Sequence, residues 1–389
     1  MAHVDDASGV APPAGLTCPH RPPCPGCPRF GEPGIAPGAR ASLDRVANAH
    51  GLPAVEVISG SMVAFRHRSR MAIRGRVGSP KLGLFELGSH RVVHIPGCRV
   101  HHPLINRVAG VVRRALVDAR VTSYSDKAHL GLARHLQVVV ERRTQTAQVV
   151  IVANSPAPDA LAGCFELIRE RLGPELHSLW FNANSDRTNT ILGSEFHLWC
   201  GKSSVSERFG GPAIHYPPGA FGQNNLEIAD RIIGHVRSQI PPGARVAEFY
   251  AGVGAIGLSV LDRVREIRLN ELSPQSLHGL GLGIAELGPI DRARISVVPG
   301  GAGRAGSAAV GVDVIIADPP RKGLDSGLIE HLVDQPPERF IYVSCSLASF
   351  IGDVARLCGR GTLRLTGLAA FNLMPFTEHV ETVACFERP

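Results

Sequence analysis

Two different beats of hydrophobic and polar positions divide this chain. From residue 245 to the end, short apolar runs alternate with longer segments of helical period. The runs Arg245–Phe249, Glu266–Leu269, Arg294–Val298, Asp313–Ala317 and Phe340–Val343 read as buried strands. Pro274–Leu287, Leu347–Cys358 and a segment starting at Ile256 read as helices, and two last strands fall near Thr362–Leu368 and Val380–Phe386. Regular alternation of this kind predicts an α/β fold with a doubly wound parallel sheet.

Upstream the beat is irregular. A helix is expected over Ala41–His50, and short strands over Val55–Ile58 and Ser61–Phe65. A hairpin is expected from His135–Arg142 and Thr146–Ala153, then a helix near Ala160–Leu172 and strands near Ser178–Asn182 and His197–Cys200. Interleaving without a βαβ rhythm predicts an α+β unit with an antiparallel sheet. The expected divisions are a tail over 1–17, a cysteine region over 18–39 completed by Cys98, an α+β unit over 40–215 and the α/β unit over 216–389.

Composition narrows the class. Hydrophobic residues make up 44% of the 389 positions and charged residues 19%, as in a folded globular chain. The start shows no basic region followed by an apolar stretch, and about 18 uninterrupted apolar residues occur nowhere, so a cytoplasmic protein without membrane contact is expected. The formal charge of +7 suits a polyanionic partner such as RNA. Within Phe65–Arg76, a period of two puts Arg66, Arg68, Arg70, Arg74 and Arg76 on one strand face, either solvated or against phosphates.

Nine cysteines without a secretory leader point to metal ligation or catalysis more than to disulfides. Cys18, Cys24 and Cys27 lie in a proline-rich run that can form neither helix nor central strand, so a bound metal or cluster is the natural support. Cys98, on a Pro-Gly turn, is the best fourth partner. Four thiolates suit a 4Fe-4S cluster or structural zinc equally well.

Reactive groups gather at the predicted strand ends, where open α/β sheets bind ligands. Cys345 follows the run Phe340–Ser344 directly and is a candidate nucleophile. The turn after Phe249 carries Gly252 and Gly254, and Glu271 lies 19 residues beyond Gly252 at the end of the second strand, placed to accept from ribose hydroxyls. That arrangement fits a dinucleotide or S-adenosylmethionine, and no P-loop lysine is present. Asp318 is followed by Pro319, Pro320 and Arg321, which fix it at a strand exit. Glu381 interrupts an apolar terminal strand and is a candidate general base.

Together these residues resemble the S-adenosylmethionine-dependent RNA 5-methyluridine methyltransferases. The resemblance rests on Phe221-x-Gln223-x-Asn225, Gly252-Val-Gly254, Asp318-Pro-Pro-Arg321, Ser344-Cys345 and His379-Val-Glu381-Thr, plus the spacing of Cys18, Cys24, Cys27 and Cys98. It implies a Rossmann-like methyltransferase domain, an RNA-binding middle domain and a 4Fe-4S cluster on those four cysteines. It further implies Cys345 as nucleophile, Glu381 as base, and Gln223, Phe249, Gly252, Gly254, Glu271 and Asp318 around the methyl donor. A monomer acting on uridine C5 of 23S rRNA is expected, since no RNA-binding barrel precedes Cys18 and the tRNA-type members generally lack the cysteines. A tRNA substrate, a zinc site, or an RNA-binding protein that has lost the reaction are the alternatives. Departures fall on the donor side: Glu248, Tyr250 and Ala251 are unusual, no acid follows Pro299, and the second helix is rich in glycine.

Overall fold

The computed structural model describes residues 16–304 and 306–389, so most of the tail read over 1–17 lies outside it. Its largest element is an eight-stranded sheet. Across the sheet the order is Glu56–Ile58, Arg364–Phe371, Glu381–Glu387, Arg339–Ser344, Val314–Ala317, Ala244–Phe249, Val264–Glu271 and Ile295–Pro299. Every neighbouring pair is parallel except the two made by Glu381–Glu387, which runs against both its neighbours. Both faces are covered, which is why the central strands read as unbroken apolar runs. Helix Leu226–Ser238 packs on a core with Val246, Ile267 and Ile341, while helices Ser326–Asp334 and Leu347–Cys358 pack on Ile315, Phe340 and Tyr342 on the other face.

The expected helix from Ile256 does not form. Turns run from Gly252 to Gly257 and end in a single 3-10 turn at Leu258–Val260. The next strand opens at Val264, too soon for a helix of ordinary length. Gly257 also has to pass close to its neighbours, since a Cβ there would lie 2.3 Å from Glu248 Oε2 and 2.5 Å from Leu269 Cδ2. Residues 61–65 likewise form bends in place of the expected strand, with Met62 and Phe65 turned into an apolar cluster.

The second sheet has seven strands, ordered Val92–His94, Ser79–Phe85, Arg68–Arg76, Ala133–Glu141, Thr146–Ala153, Leu176–Ala183 and Glu195–Gly201. It is antiparallel save for one parallel pair, Thr146–Ala153 with Leu176–Ala183, joined through helix Ala162–Leu172. That helix and Pro103–Asp118 seal the core built on Ile105, Val108, Val149, Phe165 and Phe181. Helices thus cover a largely antiparallel sheet, in which Ala133–Glu141 and Thr146–Ala153 pair as a hairpin. Residues 37–58 join the other sheet: strand Glu56–Ile58 pairs with Arg364–Phe371, and helix Pro37–Ala49 packs through Leu43 and Ala47 near Ala370 and Val380. Among the described residues no helix is long and apolar enough to cross a membrane.

Candidate active site

Apart from the edge strand Glu56–Ile58, the chain builds the large sheet from Ala244–Phe249, adds strands on one side, then crosses over to lay Val314–Ala317 on the other. The carboxyl ends of these two strands therefore frame the topological switch point, where open α/β sheets bind ligands. The turn Tyr250–Gly254 closes one wall. Tyr250, Gly252 and Gly254 all hold positive φ (59°, 60° and 83°). For tyrosine that backbone is strained, and its hydroxyl is fixed by donating to Asp325 Oδ2 at 3.1 Å and accepting from Asp325 N at 2.9 Å. Glu271 holds the turn from the neighbouring strand. Its Oε2 accepts from Gly252 N at 2.7 Å, and its Oε1 accepts from the backbone N–H groups of Leu272 and Ser273.

Asp318 stands at the opposite lip, its N–H 3.4 Å from the Phe249 carbonyl. Burial pushes its carboxyl up to about 7. On the next strand Ser344 lies opposite Thr382, so Cys345 and Glu381 leave the ladder side by side. Glu381 is 4% exposed, and its Oε1 has no hydrogen-bond partner among the described residues. Burial, then the Asp318 charge, holds it well above the usual carboxylate range, while Arg321 works the other way. The Cys345 thiol is pushed up to about 11 by burial, then by Glu381 and Asp318, with Arg321 opposing. Cys345 also precedes helix Leu347–Cys358, capped by the Ser346 side chain, and the helix N-terminus favours the thiolate. The Ser349 hydroxyl donates to the Arg321 carbonyl at 2.6 Å and ties this helix to the Asp318-Pro-Pro-Arg321 corner. Arg321 itself is exposed, with Nη2 3.2 Å from His379 Nε2.

A fourth acid belongs to this group. Glu248 is fully buried with Oε2 unpartnered among the described residues, and burial, Asp318 and Glu271 raise its carboxyl well above the ordinary range. The sequence carried the signal, an acid inside an apolar strand, the same feature that singled out Glu381. Glu248 and Glu381 are buried, each with a carboxylate oxygen unpartnered among the described residues, and Asp318 and Glu271 stand beside them, so the strand ends gather acids with little positive charge nearby.

The remaining candidates sit differently. Phe249 is wholly buried in the core, so only its backbone faces the switch point. Gln223 is half-buried in a segment clasped between the units: Arg68 donates to Ala220 O at 2.7 Å, Gln137 to Pro218 O at 2.7 Å, and Asn225 to Leu373 O at 3.2 Å. The arginine row divides. Arg68 and Arg74 are buried, Arg68 beside the Tyr216 ring and Arg74 between Phe85 and Tyr124 while gripping Asp126. Arg70 and Arg76 remain exposed.

Cys18, Cys24, Cys27 and Cys98 are unpaired and lie within electrostatic reach of one another. Burial pushes the Cys27 thiol up to about 12, with Cys98, Cys24 and Cys18 adding to the shift and Arg66 opposing it. Among the described residues no three His, Cys, Asp or Glu side chains are placed to hold a single metal ion.

A protein-family model for tRNA (uracil-5-)-methyltransferase matches residues 308–388. An uncharacterised RNA methyltransferase of Protochlamydia amoebophila is 33% identical over 381 residues, spanning 96% of this chain and 98% of that protein. The chain belongs to the RNA 5-methyluridine methyltransferase family. A second uncharacterised RNA methyltransferase, from Geobacter sulfurreducens, is 29% identical over 352 residues, covering 86% of this chain and 68% of the relative. Among solved structures, the Pyrococcus abyssi tRNA (uracil-54, C5)-methyltransferase in complex with S-adenosyl-L-homocysteine superposes with a TM-score of 0.76 at 20% identity, over 94% of this chain and 86% of its own. The mixed α/β, Rossmann-like fold is shared with that enzyme.

Proposed function

We propose that this protein methylates C5 of a uridine in 23S rRNA through a covalent intermediate on Cys345. The observation that carries the reading is the placement of Cys345 beside Glu381, with Asp318 and the glycine turn completing the cleft. Uracil C5 is a poor nucleophile. The Cys345 thiolate adds to C6, and the electron pair of the C5–C6 double bond moves onto C5 and the C4 carbonyl. The methyl donor, when bound, supplies an electrophilic methyl carbon to C5. Glu381 then takes the C5 proton, the C5–C6 double bond re-forms, and the sulfur leaves C6 as thiolate. A base whose carboxylate is raised by burial is well matched to that proton.

Glu248, Asp318 and Glu271 are assigned to the donor side, with Gly252, Gly254, Gln223 and the Phe249 backbone around them. The uridine has to be unstacked to reach Cys345, which favours a single-stranded or flipped target. The division of labour follows the two sheets: residues 216–389 carry chemistry, and the middle unit carries RNA contacts, with exposed Arg70 and Arg76 available to phosphates.

Cys18, Cys24, Cys27 and Cys98 are assigned to a 4Fe-4S cluster. The donor set is four unpaired thiols within electrostatic reach of one another, and four thiolates suit a 4Fe-4S cluster. A tRNA substrate is the second reading, favoured by the family model and by the fold shared with the tRNA enzyme. Labelled S-adenosylmethionine with unmodified 23S rRNA and tRNA transcripts, followed by mapping of the methylated base, separates the two. Label at a uridine C5 of 23S rRNA supports the first reading, label confined to tRNA supports the second, and no uridine label overturns both.

A further inference from the structure

The loop before Glu381 carries more outside support than a hairpin connection needs. It joins strands Arg364–Phe371 and Glu381–Glu387 and contains Phe376, which is 1% exposed and holds φ at 66°. A buried phenylalanine in that region of backbone space persists only when its surroundings impose it. Here the surroundings come from the cysteine segment. Arg29 N donates to the Phe376 carbonyl at 3.0 Å, and the Phe30 ring packs on the Phe376 ring with centroids 4.8 Å apart. Asn372 Nδ2 donates to the Gly34 carbonyl at 3.3 Å, and Arg66 Nη2 lies 3.7 Å from Met374 Sδ. Inside the loop, the Thr377 hydroxyl donates to Met374 O at 2.7 Å and accepts from His379 N at 3.2 Å.

The apolar cluster that receives Phe376 also contains Met62, Phe65 and Val100, and Cys27 and Cys98 pack against it. Two of the four clustered thiols therefore share a packing environment with the residue that shapes the loop before Glu381. By contrast, Cys345 and the glycine turn are set by other elements: the strand Arg339–Ser344, its following helix and the strand Ala244–Phe249. The anchor should thus affect Glu381 while leaving thiol attack and donor binding in place.

We propose that Phe376, clamped by Phe30 and Arg29, is a positioning residue that aims Glu381 at the C5 proton; this rests on the reading of Glu381 as the base. The cysteine segment then serves proton abstraction from outside the active site. Releasing the clamp lets the loop relax, so that the adduct on Cys345 forms and is methylated but resolves slowly.

The test uses the full chain, S-adenosylmethionine, and unmodified 23S rRNA and tRNA transcripts, and reads both methylated uridine and protein–RNA adduct that survives denaturing electrophoresis. Phe30→Ala is compared with Phe30→Leu, Thr377→Val and Glu381→Gln. Parallel reactions use transcripts containing 5-fluorouridine, whose C5 fluorine cannot be removed as a proton, so adduct there reports attack and methylation alone. The expected result is a several-fold rise in adduct on uridine transcripts for Phe30→Ala, less for Thr377→Val, with fluorouridine adduct unchanged and turnover largely restored in Phe30→Leu. If Phe30→Ala fails to fold, Thr377→Val decides alone. Adduct at the wild-type level in Phe30→Ala and Thr377→Val, while Glu381→Gln accumulates it, overturns the positioning role. No accumulation even in Glu381→Gln shows that the base assignment itself has failed.

Discussion

Cys345 and Glu381 stand side by side at the open end of two antiparallel strands, one step beyond the Ser344–Thr382 pair. The register of a β-ladder is fixed by its packed faces, here Phe340, Tyr342, Ala384 and Phe386 on one side, so the core brings thiol and carboxylate to neighbouring positions, and the loop before Glu381 sets how the carboxylate is aimed. A nucleophile and a base held in this way need little reorganisation when uracil arrives.

Replacing Glu381 by Gln keeps the shape and removes the base. Turnover should fall by about 10²- to 10⁴-fold, the usual contribution of a positioned general base, while the Cys345 adduct accumulates. Rapid-quench kinetics with gel detection of the adduct checks both halves.

Burial, then the two nearby acids, hold the Cys345 thiol up, at about 11, so the free protein keeps it protonated at neutral pH. Neutralising an acid should make the thiolate easier to form: in Asp318→Asn the pH midpoint of iodoacetamide alkylation at Cys345 shifts downward. Arg321→Gln removes the opposing cation and shifts it upward. Mass spectrometry of the Cys345 peptide across pH reads each midpoint.

Asp318 also links stability to pH. Its carboxyl rises from 3.8 to about 7 on folding, so the folded chain binds the proton more tightly than the unfolded chain. That contribution is fully present below about pH 4 and is lost as pH rises toward 7. Thermal melts of the donor-free protein should therefore show this loss over that window, and Asp318→Asn should flatten it.

The glycine-rich second helix has a packing reason that differs from glycine to glycine. A Cβ on Gly279 would lie 2.4 Å from the His215 carbonyl oxygen, whereas one on Gly281 would meet nothing within 4 Å. Gly279→Ala should cost roughly 1–3 kcal/mol through forced separation of helix Pro274–Ala285 from strand Ile214–Tyr216, and Gly281→Ala should be neutral or stabilising by about 0.5–1 kcal/mol. Urea denaturation of the two variants gives the contrast directly.

Protein prepared without oxygen should be brown, with absorbance near 400 nm, roughly as iron–sulfur chromophores show, and should lose that band in Cys27→Ser or Cys98→Ser. Iron and zinc analysis of the same samples distinguishes a cluster from a structural zinc ion.

The terminal half of the fold was legible because its strands are buried on both faces and its helices are amphipathic, so that each announces itself in the hydrophobic pattern. The missing helix after Gly252 was not: Ile256–Leu261 is apolar enough for a helix, and the strand opening at Val264 together with the close approach of Gly257 to Glu248 and Leu269 leaves no room for it. Cys345, Asp318 and Glu381 could be singled out because a reactive group after an apolar run stands out locally. The pairing of Arg68 with Tyr216 and of Arg74 with Asp126 joins residues far apart in the chain, and so a period of two could not tell a structural cation from a phosphate contact. The same holds for Phe30 against Phe376, which no local pattern links.

The claim that Cys345 attacks uracil C6 is tested most directly by trapping. A 23S rRNA transcript containing 5-fluorouridine is incubated with the protein and S-adenosylmethionine, digested with nuclease and protease, and the cross-linked peptide is sequenced by mass spectrometry. The account predicts a methylated fluorouridine nucleotide attached to the sulfur of Cys345, absent in Cys345→Ala. Methyl transfer to the uridine transcript by Cys345→Ala at the wild-type rate, with no nucleotide on Cys345 in the wild-type protein, would contradict it.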